Sequence, residues 1–96
     1  MRLNPLEVDA IVQSARDVFG AGVSVALFGS RVDDAQKGGD IDLYIRTATN
    51  NDYAHKIQFL VALEQRIGEQ KIDVVMAVDA SRAIEQQALS NGVWLC

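Results

Sequence analysis

Asp40-Ile41-Asp42-Leu43-Tyr44-Ile45-Arg46 alternates polar and apolar side chains with a period of two. In an extended strand that period puts Asp40, Asp42 and Tyr44 on one face and Ile41, Leu43 and Ile45 on the other. Two carboxylates two residues apart then leave the same face roughly 6 to 7 Å apart at the backbone. They repel unless a cation lies between them. Working outward, residues 23–28 form a short apolar run rich in β-branched residues, bounded by glycines, which suits a buried strand ending at Gly29-Ser30. Downstream, residues 71–78 supply a third strand in which Ile72, Val74 and Met76 alternate with Asp73, Val75 and Ala77. The apolar content of the first and third strands suits central positions in the sheet. Between the first two strands, residues 31–39 are polar and read as a short helical turn followed by a loop closing on Gly38-Gly39.

Helices fill the rest. Asn4 is placed as an N-cap, Pro5 as the first helical residue and Glu7 as the partner that completes a capping box. From there Val8, Ile11, Val12, Ala15, Val18 and Phe19 recur at three- and four-residue spacing, and Gly20 and Gly22 close the helix. A second helix starts after Asn50, Asn51 or Asp52, any of which can cap it. It runs through Ile57, Leu60, Val61 and Ile67 to Gly68. Asp79 is placed to cap a last helix ending near Asn91-Gly92, and Val93, Trp94 and Leu95 form an apolar tail. The order helix, strand, turn, strand, helix, strand, helix predicts an α/β fold, a small mixed β-sheet packed with helices, with residues 1–96 as one domain.

Composition narrows the partners. Hydrophobic residues make up 49% and charged residues 23%, the balance of a chain that folds and not of a disordered one. The net charge of −4 argues against broad capture of nucleic acid, whose affinity comes from clustered Lys and Arg, so no direct DNA binding is expected. The single cysteine, Cys96, can form neither an intrachain disulfide nor a cysteine-based zinc site. The first residues lack the apolar segment of a signal peptide, and no apolar run is long enough to span a bilayer. The expectation is a cytoplasmic protein without membrane contact.

The acidic strand residues carry the chemistry. If the third strand lies beside the second with its acidic face on the same side, Asp40, Asp42 and Asp73 meet. An all-oxygen set of this kind suits Mg²⁺ or Mn²⁺ and not zinc. Two such ions about 4 Å apart can activate a hydroxyl and stabilise a leaving pyrophosphate in an in-line displacement. Gly29-Ser30 complements them, since Gly permits a sharp turn at a strand end, and the following N–H groups with the Ser hydroxyl can cradle a phosphate. Arg31 and Lys37 stand where they can add positive charge or simply face solvent.

Taken together, Leu27-Phe28-Gly29-Ser30-Arg31, Gly39-Asp40-Ile41-Asp42-Leu43 and Ile72-Asp73-Val74 resemble the signature of the DNA polymerase beta-like nucleotidyltransferase superfamily. Each block alone is weak, but their order and spacing together are specific. In its short length the chain resembles the minimal nucleotidyltransferases that act as antitoxins in prokaryotic toxin–antitoxin pairs. The resemblance implies a nucleotidyltransferase core. It also implies transfer of a nucleoside monophosphate from a triphosphate, here ATP, to a hydroxyl. On this reading Asp40, Asp42 and Asp73 are catalytic and hold Mg²⁺, and Gly29, Ser30, Arg31, Asp40 and Asp42 bind the nucleotide. In the minimal subgroup the acceptor is often a tyrosine of a cognate HEPN-type ribonuclease toxin, silenced by adenylylation, which also implies a hetero-oligomer with that toxin.

The chain departs from the family pattern at Asp33 and Asp34, where a basic residue and Gly are frequent, and at Gly39, where Ser is frequent. Negative charge beside a triphosphate weakens its binding. A second reading therefore stays open, an antitoxin with a weak site that neutralises its toxin by binding alone. Transfer to a drug or an RNA is disfavoured, because such enzymes resemble this core plus further substrate-binding domains. Among the remaining residues, His55 reads as a surface side chain without a nearby partner, and Tyr44 and Tyr53 as packing residues. Trp94 either closes the core or anchors a partner.

Overall fold

The computed structural model describes residues 3–29 and 41–96. Helix α1, Pro5–Phe19, opens as its sequence dictates: the Glu7 N–H donates to Asn4 Oδ1 at 2.8 Å, and the Asn4 N–H donates to the Glu7 carboxylate at 3.2 Å. Strand β1, Ser24–Phe28, is followed by β2, Ile41–Arg46. Helix α2, Tyr53–Ile67, is capped by Asp52 and stops at Gly68. Strand β3, Ile72–Met76, helix α3, Ala83–Asn91, and the two-residue strand β4, Val93–Trp94, complete the order. The expected turn and loop over residues 31–39 and the first residue of the acidic strand, Asp40, lie outside the described residues.

Two local expectations are corrected. Asp79 does not cap α3. Its carboxylate accepts from the Ser81 N–H at 2.9 Å and the Ser81 hydroxyl at 2.8 Å, closing a turn ahead of the helix. Arg82 takes the N-cap position without a side-chain cap bond. His55 does have a partner: Asp52 Oδ1, which caps the helix, also lies 2.7 Å from His55 Nδ1.

The four strands form one sheet in the order β3-β2-β1-β4. β1 is antiparallel to β2 and to β4, and β2 is parallel to β3. Among the described residues the half-polar β2 is therefore interior and the apolar β3 is at the edge, the reverse of what strand composition suggests. The physical reason lies above and below the sheet. Val25, Leu27, Ile41, Leu43 and Ile45 pack into one core with Ile11, Ala15, Phe19, Phe59 and Leu63 of α1 and α2. Ala26, Phe28 and Tyr44 pack on the opposite face with Ala88 of α3. Ile72 and Met76 of β3 lie against the first cluster and Val75 against the second, so β3 is apolar because its side chains pack toward the layers on either face of the sheet, not because it has neighbours on both edges.

The two helices on the first face are locked to each other. Phe19 and Phe59 meet with ring centroids 5.9 Å apart. Arg66 donates to the buried Ser14 hydroxyl at 2.9 Å and to Asp17 at 2.8 Å, so the buried Ser14 side chain is satisfied. Among the described residues no helix is long and apolar enough to cross a membrane.

Candidate active site

The register of the sheet assembles the site. Phe28 is opposite Asp42, and Asp42 is opposite Asp73, so these three residues form one row across β1, β2 and β3. The row lies on the α3 side of the sheet, where Phe28 and Tyr44 also point. Asp42 is half-buried and Asp73 exposed. Neighbouring strands are about 4.8 Å apart, so the two carboxylates leave adjacent backbones toward the same side. This is the meeting of strands two and three that the alternation of Asp42 and Asp73 anticipates.

Gly29 follows directly on this row, at the end of β1, with φ +77°. A Cβ placed on it would collide with the Asp42 carboxylate. The absence of a side chain thus does two things at once: it permits a left-handed backbone and leaves room for the carboxylate beside the strand end. Ser30, Arg31 and Asp40, the other expected site residues, lie outside the described residues, as do Asp33, Asp34 and Lys37. Among the described residues no cluster of three or more His, Cys, Asp and Glu side chains is gathered. The pair that is gathered, Asp42 with Asp73, is an oxygen-only donor set, which fits a hard divalent cation and not a zinc-type site.

Two residues along the strands, a second row runs through Trp94, Ala26, Tyr44 and Val75. It holds a buried polar network that sequence reasoning missed. The Tyr44 hydroxyl donates to Glu85 Oε1 at 2.8 Å. Glu85 Oε2 accepts from the Val78 and Asp79 N–H groups at 3.1 and 2.8 Å and from Arg82 Nε at 2.7 Å. Burial of Glu85 opposes its ionisation, but the donors of Asp79, Tyr44, Val78 and Arg82 outweigh that and draw its carboxyl down to about 2. Burial, and then the same carboxylate, push the Tyr44 phenol above its ordinary value. The sequence offered one weak signal, a Glu on a helix face shared with Ala88.

Trp94 closes the row. It meets Tyr44 edge-on at 6.2 Å, and the Arg46 guanidinium lies 5.7 Å from its ring centroid. The apolar tail is thus a strand that packs on the monomer, with Trp94 left 42% exposed.

A mixed sheet with two carboxylates in register beside a strand-end glycine is a frame with the donors for a hard divalent cation. The family model described as polymerase beta, nucleotidyltransferase, matches residues 20–96, from the end of α1 through β4. The chain belongs to this nucleotidyltransferase family, and its reaction class is nucleotidyl transfer from a nucleoside triphosphate. Members of the family typically use a divalent metal. No curated protein matches the chain.

Proposed function

We infer that the chain is a protein adenylyltransferase of the antitoxin type, which transfers AMP from ATP to a tyrosine hydroxyl of a cognate HEPN-type ribonuclease toxin. The observation that carries the enzymatic part is the pairing of Asp42 with Asp73 beside Gly29. The antitoxin part rests on the resemblance of the chain to the minimal members of the family.

In this reading Asp40, Asp42 and Asp73 hold Mg²⁺, which when bound neutralises phosphate charge and lowers the pKa of the attacking hydroxyl. Gly29 and Ser30 offer backbone N–H groups and a hydroxyl to the triphosphate, and Arg31 adds a positive charge. The acceptor oxygen forms its bond to the α-phosphorus, the bond to the bridging oxygen breaks, and pyrophosphate leaves. Asp73, the more exposed carboxylate of the pair, accepts the proton of the acceptor hydroxyl. The work of the protein is positioning and charge stabilisation, with no covalent intermediate.

The test is incubation with Mg²⁺, ATP and the product of the neighbouring gene, which this reading makes the HEPN-type toxin. A mass gain of AMP on the toxin, lost in Asp42→Ala, is the expected result. Toxin neutralisation that survives Asp42→Ala without any mass gain would replace this reading with neutralisation by binding alone, the alternative that the acidic Asp33-Asp34 pair suggests. Lack of both a mass gain and neutralisation would remove the antitoxin role and leave nucleotidyl transfer to another hydroxyl.

A further inference from the structure

Helix α2 carries an exposed apolar stripe that the nucleotidyltransferase site does not use. Tyr53, Ile57 and Val61 recur every four residues along one side of the helix and are 74, 38 and 50% exposed. Half-buried Leu60 borders the stripe on the side of the core. A solvated helix face ordinarily places polar residues at such positions.

The charges around the stripe are antisymmetric. Lys56 stands four residues before Leu60 and Glu64 four residues after it. Both sit on the same side of the helix as Leu60, and neither makes an ion pair among the described residues. A second α2 laid parallel on this one would oppose like charges. Laid antiparallel and crossing near Leu60, it brings Lys56 of each copy to Glu64 of the other, two pairs generated by one two-fold axis.

The neighbouring element obeys the same symmetry. β3 is the edge of the sheet among the described residues, and a strand paired antiparallel with its own copy is itself two-fold symmetric. In a parallel ladder successive residues point their backbone groups to alternate sides. Lys71 and Ala77 bond to β2, so Ile72, Val74 and Met76 turn theirs outward. The Met76 carbonyl is covered by Arg82 Nη2 at 3.1 Å, which among the described residues leaves Ile72 and Val74 to pair. An open cavity of about 340 Å³ lies along this edge, lined by Lys56, Val74, Met76, Val78 and Ile84, with Val78 and Ile84 themselves exposed.

We propose that α2 and the β3 edge form an isologous interface with a second copy of this chain, in which Tyr53, Ile57 and Val61 are covered and Lys56 pairs with Glu64 of the other copy. Sedimentation equilibrium of the purified full chain tests it. The wild type should sediment at about twice its 10.5 kDa mass. Lys56→Glu and Glu64→Lys, each turning two attractive pairs into two repulsive ones, should each weaken dimerisation about tenfold. The double variant Lys56→Glu with Glu64→Lys should restore it, and Val61→Glu should abolish it. Far-UV circular dichroism establishes that every variant is folded. A wild type that stays monomeric over its soluble range, a dimer indifferent to Val61→Glu, or a double variant no tighter than the two single ones would overturn the proposal.

Discussion

Gly29 has the narrowest tolerance of any described residue in the site, since two independent demands coincide on it. Its φ of +77° is a conformation that L side chains adopt at a cost of about 1–2 kcal/mol, and its missing Cβ is where the Asp42 carboxylate lies. Gly68 supplies the control. It has φ +82° but nothing within contact distance of an added Cβ, so Gly68→Ala carries the backbone strain alone, of order 1–3 kcal/mol. The expected outcome is that both alanine variants lower the urea midpoint, while only Gly29→Ala depresses nucleotidyl transfer. Displacing a reactive group by an ångström costs on the order of 100-fold, and steady-state rates on the two variants separate the effects. Glu85 makes a second residue-scale prediction. Its carboxyl falls from an ordinary 4.5 to about 2 in the folded protein. A folded pKa below the unfolded one stabilises the fold above the unfolded pKa, and that stabilisation is lost as pH falls from about 4.5 toward 2. Glu85→Gln should therefore be less stable than wild type at neutral pH, with the gap closing through that window. Urea midpoints that stay equally far apart from neutral pH down to pH 2 would contradict the role given to its charge.

At the scale of the element, the three described helices start in different ways. α1 and α2 have local caps, from Asn4 and Asp52, and a cap of this kind contributes about 1 kcal/mol. Asn4→Ala should cost about that much in chemical denaturation and leave transfer activity intact, because α1 lies on the sheet face away from Asp42 and Asp73. These two starts were legible in the sequence because capping is a short-range rule. α3 was not. Its N-cap, Arg82, makes no side-chain cap bond, and the carboxylate that organises its start is Glu85, three residues inside the helix. Glu85 ties that start to Tyr44, 41 positions earlier, a contact that no local pattern announces. The place of β3 was misread for a related reason. Alternation in residues 71–78 identifies a strand, but an apolar strand packed against a helix layer and one flanked by strands on both edges carry the same residues.

For the molecule as a whole, the acidic pair was legible and its surroundings were not. Alternation along β2 and β3 fixes which side Asp42 and Asp73 share, but that they are direct neighbours depends on the parallel register, and the fit of Gly29 against Asp42 depends on the antiparallel one. Both registers are products of the packed core. That dependence gives a stability test of the proposed metal site that needs no acceptor substrate. Asp42 and Asp73 are neighbours only in the folded chain, because the parallel register that joins their strands exists only there. A divalent cation that binds them stabilises the folded chain by mass action, by about 1.4 kcal/mol at a tenfold excess over its dissociation constant. For a chain of this size that raises the thermal midpoint by roughly 5–10 °C. Mg²⁺ should produce this rise, EDTA should reverse it, and Asp42→Asn should remove the response. A midpoint that rises equally in wild type and Asp42→Asn would place the cation elsewhere on this acidic chain and remove Asp42 from the metal site.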